Sequence, residues 1–150
     1  MSGFTTAFPD SMKVEMATAI HNFSSGGDLF GLALGIGTPA GTFGAATANY
    51  SDLGADEVPN GSGYTTGGFL WTNVQNITPA LGSGEAFWSW SVNPTWTGTI
   101  STSGCIGYNR SKSNKCVYVG SFGGILIVSS NVLTLVLPTN AAGSSILGLK

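Results

Sequence analysis

Residues 57–71, EVPNGSGYTTGGFLW, are the part of the sequence most like a ligand-binding loop, because glycine and hydroxyl residues are concentrated there. A phosphate-binding loop offers free backbone N–H groups at the start of a helix, usually with a lysine. The spacing Gly61-x-Gly63-x-x-x-Gly67-Gly68 matches neither the dinucleotide pattern nor the P-loop, and a strand-like run begins at Phe69. Asn60-Gly61 is typical of a turn, and Gly67-Gly68 indicates a bulge or a close backbone approach. The sequence therefore predicts a turn that leads into a core strand.

The chain contains few residues that could carry out acid–base or nucleophilic catalysis. The one histidine, His21, falls on a predicted helix, and no Gly-x-Ser-x-Gly motif is present. We expect His21 at the surface or at an interface. Asp52, Asp56 and Glu57 share one loop and carry the hard oxygen ligands that calcium prefers. Their spacing is not that of an EF-hand, so a solvated loop is the preferred interpretation, and we predict no enzyme activity.

The segment Glu85–Val92 offers a second chemical hypothesis. Glu85 lies close in sequence to Trp88 and Trp90, which would suit a carbohydrate-binding or glycan-hydrolysing module. A glycosidase, however, needs two carboxylates that face each other across a cleft. Tryptophans on a strand are more often core residues, and we prefer that interpretation.

Two cysteines, Cys105 and Cys116, flank a predicted hairpin turn centred on Arg110-Ser111. Such a turn would place them opposite each other, where a cross-strand disulfide is geometrically allowed. Free thiols packed as small hydrophobic groups are the preferred alternative for a chain made in a reducing cytoplasm. With a single histidine the two cysteines cannot complete a zinc site. We expect no metal and no other cofactor.

The composition excludes some partners and favours others. The 150-residue chain has a net charge of −2, which gives nucleic acid no electrostatic footprint. Only 8% of its residues are charged, against about a quarter in an ordinary domain. Its most apolar segment, residues 123–138, is too short to span a bilayer, and no secretory signal is recognisable. So neutral a surface suits a subunit covered by neighbours, although hydroxyl groups alone could keep a free chain in solution.

One amphipathic helix is predicted near the N-terminus, over about residues 9–23. Met12, Met16 and Ile20 are spaced four apart, and Ala19 and Phe23 repeat that step, which gives one apolar face. Asp10 or Ser11 can cap its start, and the Ser-Ser-Gly-Gly run after Phe23 can end it.

Short strand-like runs separated by turn residues follow this helix. They predict a mainly β fold, an antiparallel β-sandwich or barrel with one short N-terminal α-helix, as a single domain over residues 1–138. A polar tail, residues 139–150, ends in the apolar Leu147 and Leu149 and is predicted to be an arm that docks on a partner or frays. The predicted strands are residues 28–36, 69–77, 85–92, 95–108, 115–122, 124–128 and 132–137, with a hairpin at Ser129-Ser130-Asn131 between the last two.

The order of several motifs resembles a group of small structural proteins of tailed-bacteriophage virions. The motifs are FPDSMKVEM from Phe8, DLFGLAL from Asp28, Glu57 with GYTTGG from Gly63, WTGTIST from Trp96, GYNRSKSNK from Gly107 and VGSFGG from Val119. The resemblance covers residues 8 to about 138. One departure is Ser121-Phe-Gly, where the relatives have an Asp-Phe-Gly-like run. The resemblance implies a structural protein of the particle without catalytic activity.

From this resemblance and the neutral composition we expect a virion protein made in the host cytoplasm. The first hypothesis is a capsid decoration (cement) protein that binds the outside of the major capsid lattice. Its other expected partner is further copies of itself, in a trimer or dimer. A tail, collar or head–tail component is the alternative. The cluster of basic residues at the predicted hairpin tip is either solvated or in contact with an acidic partner. The candidate interface residues are Met12, Met16, Ile20, Phe23, Trp88, Trp90, Trp96, Arg110, Lys112, Lys115, Leu147 and Leu149.

Overall fold

Strands form most of the regular structure in the computed structural model, which describes residues 2–24, 26–71, 80–82, 84–90, 92–139, 141 and 144–149. Most of these regular elements are strands, which confirms a mainly β fold with a short N-terminal helix. In chain order the elements are β1 (Gly3–Phe4), α1 (Asp10–Ala17), β2 (Phe30–Ile36), β3 (Thr42–Phe43), a 3-10 helix (Tyr50–Asp56), β4 (Phe69–Leu70), β5 (Ala80–Gly82), β6 (Glu85–Trp88), β7 (Thr95–Asn109), a 3-10 turn (Arg110–Lys112), β8 (Lys115–Thr134) and β9 (Leu147–Leu149).

The main sheet has four antiparallel strands in the order β4-β2-β7-β8. β2 was predicted as a buried strand, and it is covered on both faces. Leu32 and Leu34 join a core cluster rich in tryptophan, and Ala33 joins a second cluster on the other face with Phe43 and Ile106. The sheet is open at β4 and β8, so the barrel alternative is wrong; the sandwich stays a prediction.

β7 and β8 form one hairpin of 15 and 20 residues. The predicted hairpin at Ser129-Ser130-Asn131 is wrong, because β8 runs through these residues and pairs with β7 on either side of them. Ser130 has a φ of +49°, and the ladder shifts between Gly98 and Ile100. The polar residues therefore make a bulge in one strand. Long-range pairing with β7 overrides a local turn signal.

The hairpin register also decides the state of the cysteines. Cys105 lies opposite Gly120, and Cys116 lies opposite Tyr108, because Asn109 pairs with Lys115 and the turn is therefore centred on Lys112 and not on Arg110-Ser111. The predicted juxtaposition of the two cysteines is wrong. Both are buried free thiols, as the preferred alternative held, and burial raises the pKa of each to about 12.

The helix α1 is shorter than predicted, since it covers only Asp10–Ala17. Pro9 is its N-cap residue and no side chain caps it, so the predicted capping by Asp10 or Ser11 is wrong. Ala19 has a φ of +56°, a left-handed conformation that ends the helix early. Within the described residues, no helix combines the length and the apolarity needed to cross a bilayer.

Two smaller sheets complete the structure. β1 pairs in parallel with β3, and β6 lies between β5 and β9 in an antiparallel three-stranded sheet. The tail residue Ile146 is buried in the tryptophan-rich core, and β9 pairs with β6. The structure thus places the end of the predicted arm within the fold of the chain. Of the predicted strand 69–77, β4 is observed, and residues 72–77 lie outside the described residues.

The turn predicted at residues 57–68 is observed, with the close backbone approach expected at Gly67-Gly68. Gly68 has a φ of +71°, and a Cβ there would lie 2.1 Å from the carbonyl oxygen of Leu32 in β2. Gly61 in the same loop also has a positive φ, +117°, but a Cβ there would meet nothing within 4 Å. These two glycines therefore separate backbone strain from a steric clash.

We expect Gly68→Ala to lower the free energy of unfolding by about 2–5 kcal/mol, since it adds a backbone clash to the strain of a positive φ. Gly61→Ala serves as the matched control and should cost only about 1–2 kcal/mol, because it carries the strain alone. Urea denaturation of the two variants measures the difference. Equal losses would contradict the close approach to β2.

Candidate functional site

The most exposed apolar surface lies on the distal part of the long hairpin. We call residues 95–102 of β7 and residues 122–137, which include the end of β8, the neutral ribbon. β8 is buried or half-buried up to Phe122 and largely exposed beyond it. The large aliphatic side chains that the neutral ribbon exposes are Ile125, Leu126, Ile127, Val132 and Val136.

Strand alternation gives the neutral ribbon two different faces. Trp96 and Ile100 are buried, and they lie opposite Leu133 and Val128, so this inner face packs on the core. The outer face carries the exposed side chains that alternate with them on β7, Thr95, Thr97, Thr99 and Ser101. Val132 pairs with Thr97 and Ile127 with Ser101, which adds two aliphatic side chains to the hydroxyl row.

The neutral ribbon carries no ionisable charge. From Cys116 to Leu149 the sequence contains no Asp, Glu, Lys, Arg or His, and Thr95–Thr102 contains none either. Ionic groups oppose burial because they must be desolvated or paired. A surface of Thr, Ser, Ile and Val can be covered by another protein without that cost.

The outer edge of β8 is covered over its first part only. Val119 exchanges backbone hydrogen bonds with Ala7, at 2.9 Å each, and the N–H of Cys116 donates to the carbonyl of Ala48 at 2.9 Å. The N–H of Ser121 donates to the Thr6 hydroxyl at 3.0 Å. In the part of the chain that the structure describes, no strand pairs with this edge beyond Ser121. Residues 122–134 are therefore an open edge strand.

Glu57 holds the glycine-rich loop together. Its carboxylate accepts hydrogen bonds from the Gly67 N–H at 2.6 Å, the Tyr64 hydroxyl at 2.8 Å and the Tyr50 hydroxyl at 2.6 Å. The Tyr64 hydroxyl also accepts from the Leu34 N–H at 3.0 Å, which ties the loop to β2. Burial and the nearby Glu57 carboxylate raise the pKa of both tyrosines far above 10, so they remain donors. Sequence analysis missed this role of Glu57.

The other two acidic residues for which a calcium site was considered also bind backbone. Asp52 accepts from the N–H groups of Ala48 and Asn49, at 2.8 and 3.1 Å. Asp56 accepts from the N–H groups of Ala40 and Gly41, at 2.9 and 2.7 Å. The described residues contain no group of three or more His, Cys, Asp or Glu side chains placed to hold a metal ion. The carboxylates fix loops instead of lying free in solvent.

A buried polar network joins the segment after α1 to the hairpin tip. The side chain of His21 is fully buried, which corrects the predicted surface position. Its Nε2 lies 2.8 Å from Glu15 Oε2, and its Nδ1 lies 2.9 Å from Asn109 Nδ2. The Ser111 N–H donates to Asn109 Oδ1, so Asn109 presents its NH₂ group to His21. Nδ1 therefore accepts, and Nε2 donates its hydrogen to Glu15.

Lysine side chains pair with carboxylates at both ends of this network. Lys115 Nζ donates to Glu15 Oε1. Asp28 Oδ2 accepts from Asn109 Nδ2 at 2.8 Å, and Lys112 lies 3.7 Å from the other oxygen of Asp28. Two of the three basic residues predicted as an interface thus pair with carboxylates of their own chain. Arg110 is exposed at the tip.

The other candidate interface residues lie mostly inside the fold. Met12 is fully buried; Met16, Ile20 and Phe23 are half-buried, and the last two lie beyond the end of α1. Leu147 and Leu149 lie on β9. Trp88, Trp90 and Trp96 were candidate interface residues, but all three are buried in the core, which corrects that expectation. Trp90 stacks on Trp71 at 4.6 Å, and Trp88 stacks on Phe23 at 4.4 Å. Sequence analysis missed the neutral ribbon as a surface, although the uncharged run was visible.

Comparison with known proteins found no matching family model, no matching curated protein and no matching solved structure. The resemblance to phage virion proteins therefore stays a prediction.

The Glu15 network predicts a pH-dependent stability. Burial raises the pKa of Glu15, but the hydrogen bonds from Lys115 and His21 and the charge of Lys115 outweigh it and hold this pKa below its usual value. The stabilisation from a lowered carboxyl pKa is complete above the unfolded value and is lost as the pH falls through the folded value. We expect Glu15→Gln to cost about 1–3 kcal/mol at neutral pH, and the difference from wild type to shrink below a pH of about 4.5.

Urea denaturation across this pH range measures the effect. Asp10→Asn is the control, because the Asp10–Lys13 pair is exposed and should contribute little. A cost of Glu15→Gln that does not change with pH would contradict the assignment.

The Glu57 cluster gives a second stability prediction. Glu57→Gln leaves an NH₂ group facing donors, and we expect it to lower the free energy of unfolding by about 1–3 kcal/mol. Tyr50→Phe removes one donor only and should cost about 1 kcal/mol. Thermal or urea unfolding compares the two, and a Glu57→Gln variant as stable as wild type would refute this role.

Proposed function

We propose that this chain is a structural protein of a tailed-phage virion, and specifically a decoration protein on the outside of the head. Its partners would be the major capsid protein and other copies of itself. The observation that carries the proposal is the neutral ribbon, a surface of exposed aliphatic and hydroxyl side chains without a single charge. Such a surface suits permanent contact with another protein.

Many weak contacts are enough for this task. Each square ångström of apolar surface removed from water contributes about 25 cal/mol, so a modest face per copy gives useful binding. A lattice presents the same site many times, and copies that contact each other bind it together, which multiplies the effective affinity. The outer face of the neutral ribbon would reinforce the shell by covering it.

A structural role also fits the use of the ionisable groups. The carboxylates of Glu15, Asp52, Asp56 and Glu57 each bind backbone or side-chain donors of their own chain. Two shallow grooves flank Gly37 and Thr38, and neither is lined by an ionisable side chain. We therefore propose a function without catalysis.

The carbohydrate-binding hypothesis is not carried forward, since Trp88 and Trp90 stack inside the core and offer no open platform.

The stacking of these two tryptophans also bears on how the two sheets are arranged. Trp88 belongs to β6, and Trp90 packs at 6.0 Å on Phe30 of β2. We infer that the β5-β6-β9 sheet lies over the main sheet as the second layer of a sandwich.

The test of location is a reconstruction of the native particle that contains this chain, together with quantitative mass spectrometry of its proteins. A decoration protein gives density at repeated positions over the whole shell, with many copies per particle. Density confined to the portal vertex, in a ring of few copies, would replace the proposal with the tail or collar alternative.

The outer face makes a specific prediction for binding. Val132→Lys places a charge in the middle of the proposed contact, and we expect binding to undecorated heads to weaken at least about tenfold. Val14→Lys is the matched control, because Val14 is also an exposed valine but lies on α1. Co-sedimentation with heads measures both variants. Equal binding by Val132→Lys and wild type would overturn the role of this face.

A further inference from the structure

We propose that two copies of this chain pair through the open edge of β8, antiparallel, about a two-fold axis at Leu126. The inference deepens the proposed function and rests on it only for its biological purpose. It names the surface through which copies contact each other, the edge of the neutral ribbon, and leaves the outer face free for the lattice.

The geometry of β8 supplies the first argument. Thr6, Ala7 and Ala48 occupy the outer edge of the strand up to Ser121. Beyond that point the backbone groups that point away from β7 have no strand partner among the described residues. An edge of this kind is a template for a further strand, which would satisfy the open N–H and C=O groups.

The side chains beside this edge supply the second argument. Ile125, Leu126 and Ile127 are consecutive, and their exposed fractions are 53%, 41% and 72%. Successive residues of a strand point to opposite faces, so apolar groups flank the edge on both sides. Natural edge strands are usually protected by charges or proline, and residues 122–134 contain neither. The ladder with β7 shifts at both ends of Leu126–Val128, between Thr102 and Gly104 and between Gly98 and Ile100, so the regular part of the edge is a short segment that begins at Leu126.

The choice of a second copy follows from charge and symmetry. A charged partner strand would have to bury its ionic groups against an edge that offers no counter-charge. An identical strand carries none and is self-complementary about a two-fold axis. With the axis at Leu126, Leu126 faces its own copy and Ile125 faces Ile127 of the other chain, so every aliphatic residue meets another.

Light scattering after gel filtration tests the pairing on the full chain. The contact is smaller than the roughly 800 Å² per partner of a standard interface, so we expect a wild-type dimer with a dissociation constant on the order of 1–100 μM. Ile127→Lys should raise this constant at least about a hundredfold, and so should Ile125→Glu. Val14→Lys, at another exposed position, should leave it unchanged.

A mixture of variants tests the register. Ile127→Lys mixed with Ile125→Glu should restore a heterodimer, because the lysine then faces the glutamate and the remaining isoleucines face each other. When Ile127→Lys is mixed with Ile127→Glu, the lysine and the glutamate each face an isoleucine and not each other. This mixture should therefore restore much less heterodimer. Thermal unfolding of each variant checks that the chain remains folded.

A wild-type chain that stays monomeric to about 100 μM would overturn the inference, as would a dimer that Ile127→Lys leaves intact. Equal rescue by the two mixtures would overturn the register. The outcome is separate from that of the proposed function. A monomer that still decorates heads removes only the pairing, and a dimer with no place on any particle removes only the virion role.

Discussion

The hairpin of β7 and β8 is longer than the sheet that supports it, and this mismatch determines which surfaces the chain leaves open. β2 pairs with β7 only from Thr102 to Asn109. The residues of β7 before that point have β8 as their strand partner and a loop beside them, with the Thr99 N–H donating to Ser62 at 3.0 Å. A two-stranded ribbon is marginal in water unless one face is packed. Trp96 and Ile100 pack that face, and among the described residues no strand pairs with the edge beyond Ser121, while the side chains of the other face are exposed.

The few charges of the chain are used to fasten loops to this frame. Glu57 joins the glycine-rich loop to β2 through Tyr64, and Glu15 joins α1 to the hairpin tip through Lys115 and His21. A carboxylate that accepts several donors stabilises irregular backbone that has no ladder of its own. Because these carboxylates lie within the fold, they contribute little charge to the surface.

What the sequence predicts well is what depends on local pattern. The apolar run of β2, the long β-branched β7 and the approach of Gly68 to the sheet were all predictable, since each follows from residue type and spacing. The failures arise where a distant partner decides. The run Ser129–Asn131 is a turn signal, but β7 continues alongside it and keeps it in a strand. The helical pattern continues to Phe23, but α1 ends at Ala17, Ala19 is left-handed, and His21 binds Glu15 and Asn109.

The candidate site, like the fold, could be predicted from the sequence only in part. Trp88 and Trp90 were candidate interface residues, yet all four side chains of residues 87–90 are buried, as the preferred core interpretation held. Hydrophobic aromatic residues were therefore a poor guide to the surface. The better signal was the absence of charge from Cys116 onward, which marks where covering a strand costs least.

In the proposed dimer, edge pairing and face binding would reinforce each other by symmetry. The two-fold axis between antiparallel neighbours in one sheet is perpendicular to that sheet, so both copies direct the same face to the same side. Two outer faces, each with the row Thr95, Thr97 and Thr99 beside Ile127 and Val132, then form one continuous neutral surface. A lattice that binds one face weakly binds the joined pair far more strongly, because the second contact is intramolecular. Edge pairing without new face contacts would thus convert a marginal subunit into a firmly held one.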